Sequence, residues 1–254
     1  MSKRIYITGI GMISAIGNNV PEILTSLEAS KTGIGEITLF PTLHRGSLPM
    51  AEVKLSATQL LNLAGQNGSQ QFTRTTLLGM VAAKEALKSA GIDAVDTWKT
   101  GLISATSVGG MDRTEHFYKE FLEDQSKGRL RDVINHDCGD STERIAIELG
   151  IKKLISTIST ACSSSANTII FGANLIRSGK AERVIAGGTD SVTKFTLNGF
   201  NTLMILDKRG CHPFDEHRAG LTLGEGAAYV VLESEEIVMK KGKQPLAELT
   251  GYGN

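Results

Sequence analysis

Proline and cysteine are scarce in this 254-residue sequence, at five and three residues. Three cysteines, an odd and small number, do not make the disulfide framework of a small secreted domain and fit a reducing, cytoplasmic compartment. Few prolines rule out a proline-rich linker. Aromatic residues make up only 5%. Neither sign of charge dominates: 27 Lys and Arg balance 27 Asp and Glu. Without a basic excess, wholesale binding to nucleic acid or to a membrane surface is not expected, although a local basic patch remains open to an acidic partner. No run approaches the ~20 apolar residues of a membrane span. The start, MSKRIYITGIGMISAIG, is basic and then apolar, but Gly9, Gly11, Ser14 and Gly17 interrupt it and no small-x-small cleavage site follows. It reads as a first strand and its turn, not as a signal peptide.

What the chain does have is glycine, 28 residues of it, with 41% hydrophobic and 21% charged residues. Much glycine with little proline suits the tight strand-to-helix turns of an α/β protein. The patterning agrees. Strands are expected at Arg4 to Ile10, Thr100 to Thr106, Leu154 to Ser159, Arg183 to Ala186, Ala227 to Glu233 and Leu246 to Tyr252. Helices are expected at Pro21 to Ser30, Thr73 to Ala90, Ser141 to Leu149 and Ser163 to Ser178, with Gly91, Gly150 and Gly179 as stops. Between them, 31–68 is an excursion and 111–140 a charged, irregular, partly helical insertion. Alternating strands and helices imply βαβ units, a mostly parallel sheet and helices on both faces. With no repeat and no boundary, residues 1–254 read as one domain.

The sharpest chemical signal is Cys162 in the run Ser159 to Ser165 (STACSSS). A nucleophile between a strand and a helix sits at the carboxy-terminal edge of the sheet, where open α/β sheets place their active sites. The following helix presents free N–H groups and the positive end of its dipole, which favour a thiolate, the reactive form. The backbone N–H at the turn suits an oxyanion formed when a thioester carbonyl is attacked. These residues alone also admit a buried, inert thiol, because free cysteine is among the most buried residue types. Cys138 and Cys211 lack this setting and are assigned to structure.

Several blocks in order carry a resemblance: Ile7 to Gly11 (ITGIG), Thr160 to Ser164 (TACSS), Gly179 through Ala186 to Asp190 (AGGTD), Gly199-Phe200, His212 to Ala228 around Pro213-Phe214-Asp215 and Gly224-Glu225-Gly226, and Ala247 to Gly253. Together they resemble the amino-terminal, nucleophile-bearing portion of the β-ketoacyl-acyl-carrier-protein synthases. The resemblance implies a thiolase-like fold, of which this chain is the N-terminal half of an α-β-α-β-α arrangement, and a homodimer. It implies that Cys162 accepts an acyl group from acyl carrier protein, and that malonyl-carrier protein is then decarboxylated and condensed with it. In the family, two histidines and a glycine-phenylalanine loop from the second half assist. The chain stops at Asn254, so that half is expected to be absent and the isolated chain not to complete condensation. A partner subunit acting in dimerisation or carrier binding is the alternative, and a degradative thiolase the nearest enzymatic rival.

By the same analogy Thr189, Phe200 and Thr202 border the acyl pocket. Asp215, Arg218 and Glu225 hold a turn beside the site, with Ala219 standing where the family commonly has aspartate. His44, His116, His136, His212 and His217 match no catalytic histidine of the family and are read as surface or structural. The cluster Lys127, Arg129 and Arg131, and the pair Lys208-Arg209, read as solvated faces, with carrier steering as the alternative. Gly9-x-Gly11-x-x-Ser14 lacks the third glycine and the acidic partner of a dinucleotide site, the Cys/His pairs lack zinc spacing, and no serine-hydrolase elbow is present. No cofactor and no metal are expected.

Overall fold

The structure is a computed structural model describing residues 4–68, 72–95 and 99–253. Its strands are β1 (Ile5–Ser14), β2 (Ile34–Gly35), β3 (Met50–Ala51), β4 (Thr100–Ala105), β5 (Leu154–Ile158), β6 (Arg183–Asp190), β7 (Gly226–Ser234) and β8 (Ala247–Glu248). Its helices are α1 (Val20–Glu28), α2 (Ala57–Leu63), α3 (Arg74–Ser89), α4 (Met111–Glu123), α5 (Cys138–Glu148), α6 (Ser164–Arg177), α7 (Lys194–Thr202) and α8 (Glu235–Lys241). Among the described residues no helix is long and apolar enough to cross a membrane.

Six strands form one sheet in the order β5-β4-β6-β7-β1-β8. β4 is parallel to both β5 and β6, whereas β7 runs against β6 and β1, and β8 against β1. Four of the six strands, β1, β4, β5 and β6, therefore point the same way, which is the directional bias expected of βαβ units. β7 and β8 run the other way, and for β7 the register shows why. Gly226 lies opposite both Asp190, the last residue of β6, and Ser14, the last of β1. The chain between β6 and β7 stays at one edge of the sheet instead of crossing over, so β7 must enter in reverse.

Helices cover both faces. Alternate residues of β6 separate the two cores: Ile185 joins Leu78, Ala82, Ala86 and Val231 under α3, while Val184 and Ala186 join Ala173, Ile176 and Leu232 under α6. That is the two-residue period of a strand buried on both sides. α3 begins where its Thr73 hydroxyl accepts the Thr76 N–H at 3.1 Å, a standard N-cap. α5 begins three residues earlier than the patterning suggests, because Asp137 caps it by accepting the Gly139 N–H. β1 also exceeds expectation, running past Ile10 to Ser14, so that Gly11 as well as Gly9 is a strand residue and not part of a turn. A Cβ at Gly11 would lie 2.0 Å from the Ala82 carbonyl oxygen, and one at Gly9 2.3 Å from that of Ala86. These glycines let the α3 backbone rest directly on β1.

At the opposite edge of the sheet from the end of β6, Glu233 is fully buried and held by Arg183 at 2.6 Å, Lys243 at 2.7 Å and the Thr8 hydroxyl at 2.7 Å. Burial pushes this carboxyl up, but the Lys243, Thr8 and Arg183 contacts outweigh it and hold it below the usual carboxylate range. A carboxyl depressed in the folded state adds stability that is present above its unfolded value of about 4.3 and is lost as pH falls through its folded value. The stability gap between the wild type and Glu233→Gln, measured by urea unfolding, is therefore expected to narrow as pH drops below about 4. A gap constant from pH 7 to pH 3 would show that Glu233 does not couple folding to protonation.

Candidate active site

β4, β5 and β6 are parallel neighbours, so their carboxy-terminal ends, Ala105, Ile158 and Asp190, open on one edge. Cys162 stands at this edge, in the turn from β5 into α6, and is exposed. The thiol is therefore not buried in the core. Residue 163 occupies the N-cap position of α6, which places Cys162 immediately ahead of the helix's positive end.

The turn is built under strain. Ala161 has φ of +53°, in the left-handed region that costs a β-carbon residue about 1–3 kcal/mol unless its surroundings enforce it. The enforcement comes from serine and threonine hydroxyls. Ser164 Oγ accepts the Thr160 N–H at 2.7 Å and donates to the Ala161 carbonyl at 2.6 Å, and the Ser164 N–H reaches the same carbonyl at 3.1 Å. Outside this pair, Ser163 Oγ donates to the Thr160 carbonyl at 3.0 Å, and the Asn167 amide donates to Thr160 Oγ1 at 2.9 Å. α6 comes close enough to present the turn because Gly188 has no side chain: a Cβ there would meet Ser165 Oγ at 2.4 Å.

The neighbouring strand ends close one side. Asp190 Oδ1 accepts Thr106 Oγ1 at 2.6 Å, the Ser107 N–H at 2.8 Å and the Val108 N–H at 3.2 Å, tying the loop after β4 to the end of β6. From that loop, Ser107 Oγ faces the Ala161 carbonyl at 3.5 Å. Cys138, in the first turn of α5, is half-buried and hydrogen-bonded to Ser159. Burial, with the charges of Asp137 and Asp190 adding to it and the Ser159 bond opposing, pushes its thiol up and keeps it protonated. The cysteine read as structural thus borders the site in its unreactive form.

The other expected residues are dispersed. Thr189 is buried, but its hydroxyl donates to the Thr75 carbonyl at 2.7 Å, so its side chain faces α3. Phe200 is half-buried on α7 and Thr202 exposed at its end. Asp215 and Arg218 share an exposed turn, in which the Asp215 carboxylate accepts the His217 N–H at 2.6 Å and the Arg218 guanidinium donates to the Asp215 carbonyl at 2.9 Å. Glu225 belongs to a different network, its buried carboxylate paired with the mostly buried Arg74. His116 lies on α4 and not in an irregular segment, and it lines a cavity of about 470 Å³ with Phe40, Phe72, Asp112 and Val192. No residue of the turn 159–163 lines that cavity, so its size says nothing about the chemistry at Cys162. His136 faces Thr114 Oγ1 at 3.0 Å, and His212 and His217 are exposed. In the basic cluster Arg129 is paired to Asp132 at 2.9 Å and Lys127 lies 3.7 Å from Asp124, which favours the solvated-face assignment.

Ser107 and Asp190 escaped the sequence as site residues; Ala161 and Ser164 stood out as small residues leaving room beside Cys162, but not as the parts that hold the turn. Only the hydroxyl-rich run around Cys162 hinted at them, because a residue's left-handed conformation and a strand end's neighbours are set by the fold.

Comparison with known proteins points one way. The β-ketoacyl synthase N-terminal domain matches residues 2–237. A 3-oxoacyl-[acyl-carrier-protein] synthase 2 of Staphylococcus aureus (strain N315) is 30% identical over 266 residues, covering 99% of this chain and 63% of that protein. Nodulation protein E of a Rhizobium species (strain N33) is 27% identical, covering 100% of this chain and 63% of the relative. Among solved structures, the ishigamide ketosynthase/chain length factor superposes with a TM-score of 0.90 at 27% identity, covering 100% of this chain and 64% of that one. A β-ketoacyl synthase from Burkholderia phymatum STM815 gives 0.83 at 25% identity, covering 99% and 64%. The chain thus spans a little under two thirds of the length of these relatives.

Proposed function

Because the chain belongs to the β-ketoacyl synthase family, we propose that it supplies the acyl-accepting half of a decarboxylating condensation in fatty-acid- or polyketide-type synthesis. The Cys162 sulfur adds to the carbonyl of an acyl thioester carried by acyl carrier protein. The Cys162 N–H is one donor to the oxyanion that forms. Collapse breaks the carbon–sulfur bond to the carrier's pantetheine, which leaves as the thiolate, and the acyl group remains on Cys162. One thioester replaces another, so the step is nearly balanced in energy and depends on the placement of the sulfur. Malonyl-carrier protein then loses carbon dioxide, and its carbanion takes the acyl group from Cys162.

The observation that carries this reading is the position of an exposed thiol on a strained turn at the head of α6, at the common edge of three parallel strand ends. The carrier protein follows from the name of the Staphylococcus aureus relative. A second copy of the chain is the other proposed partner: β5 is an edge strand with Ile155 exposed, and such an edge invites pairing. A cytoplasmic setting suits the three free thiols.

Intact mass after incubation with acyl-carrier protein tests the proposal. The wild type is expected to gain the mass of one acyl group and Cys162→Ala none. A wild type without the gain, or a control that keeps it, would refute Cys162 as the acceptor.

A further inference from the structure

The strained residue immediately before Cys162 takes its closest side-chain contact, 2.6 Å, from Ser164. Ser164 is buried, with 4% of its surface exposed, and its hydroxyl spans the turn from the Thr160 N–H to the Ala161 carbonyl. The direction of both bonds is settled by chemistry. A backbone N–H can only donate, so Ser164 Oγ must accept from Thr160 and place its own proton on Ala161. The two anchored groups bracket the torsions of Thr160 and Ala161, the torsions that determine where the next residue points. An alanine left to itself prefers negative φ. Without the hydroxyl, the Thr160 N–H loses its acceptor, the Ala161 carbonyl loses the shorter of its two Ser164 contacts, and the turn relaxes away from the geometry that presents the thiol.

We propose that Ser164 is the positioning residue of the nucleophile: by clipping Ala161 in the left-handed conformation, its hydroxyl holds the Cys162 sulfur at the head of α6. This rests on Cys162 being the nucleophile. It assigns no proton transfer to Ser164, which acts through Ala161.

The chain carries its own reference, because Cys211 is equally a free, exposed thiol but sits in an open loop. Iodoacetamide labelling of the full chain, followed by peptide mass mapping, reads all three cysteines at once. In the wild type Cys162 is expected to react faster than Cys211, with Cys138 slowest. Ser164→Ala is expected to slow Cys162 about tenfold, equivalent to about 1.4 kcal/mol, and to leave Cys211 unchanged. Adding Ala161→Gly should recover at least about threefold of that loss, since glycine accepts positive φ without a clip. Loss of packing alone would not be repaired by deleting a methyl group three residues upstream of Ser164.

The outcomes separate the two claims. A wild-type Cys162 no faster than Cys211 removes the nucleophile assignment, and the inference with it. A fast wild-type Cys162 that Ser164→Ala does not slow overturns the positioning role and leaves the nucleophile standing. A slowed variant that Ala161→Gly does not restore also overturns it. If Ser164→Ala loses its fold, seen as Cys138 becoming reactive, the double variant decides: recovery of both fold and rate supports the clip, and recovery of neither overturns it.

Discussion

Glu225→Ala is expected to cost the fold about 3–5 kcal/mol, read as a fall in the urea midpoint at neutral pH, because it leaves a cation buried without its partner. The Glu225 side chain is fully buried and that of Arg74 is 13% exposed. The guanidinium meets the carboxylate through Nη2 at 2.6 Å and Nε at 2.9 Å, a two-point grip that suits the planar fork of arginine. The same carboxylate accepts the Val53 N–H at 2.9 Å and the Val192 N–H at 3.2 Å. Arg74 in turn donates to the carbonyls of Val53 and Leu55. One pair therefore fastens four segments: the start of α3, the chain after β3, the bend just beyond Asp190, and the chain leading into β7. Glu225→Gln keeps the shape and one acceptor, so a smaller loss is expected from it. In a double-mutant cycle, Arg74→Ala with Glu225→Ala should cost less than the sum of the single changes, because the orphaned charge is gone. A Glu225→Ala loss below about 1 kcal/mol would mean that Arg74 reaches solvent on its own.

That network shows what a sequence can and cannot disclose. Glu225 stood out only through its Gly-Glu-Gly block, and it was grouped with Asp215 and Arg218 because they are near in sequence. In space they part: Asp215 and Arg218 turn on the surface, and Glu225 is sealed beneath α3. The pairing of residues 74 and 225 has no local signature. Local signatures did reveal α3, α5 and α6, where apolar spacing and a left-handed glycine at 91, 150 or 179 coincide. They also located Cys162, because a strand, a small-residue turn and a helix in succession admit few arrangements. The direction of β7 was hidden, since alternation reports which side chains are buried and says nothing of which way the strand runs. α7 and α8 are not among the helices expected from the patterning. α7 is recognisable afterwards by the Thr193–Thr196 capping box, and α8 by its Ser234 cap and the left-handed Gly242.

Gly11→Ala is expected to be the more damaging of two outwardly mild glycine changes, with a loss of about 3 kcal/mol or more and little soluble protein. The added Cβ would sit 2.0 Å from the Ala82 carbonyl oxygen and 2.4 Å from the Ala86 nitrogen. Both are backbone atoms of α3, so no rotamer change relieves the clash. The helix itself must retreat by about 1 Å to restore ordinary contact, in an interior packed as densely as a crystal. α3 is poorly placed to do so: Gly79 packs against Ile145 and Thr189, Arg74 is tied to Glu225, and the Thr75 carbonyl holds the Thr189 hydroxyl one residue from Asp190. A shift of α3 is therefore transmitted to the end of β6, and from there through Ser107 to the turn that presents Cys162. Gly35→Ala is the matched control, because a Cβ there has nothing within 4 Å, and it should change stability by no more than about 0.5 kcal/mol. Urea unfolding of the two variants side by side gives the comparison. Equal midpoints would show that β1 and α3 separate at little cost, and would remove the argument that glycine at position 11 is required by the approach of a helix backbone.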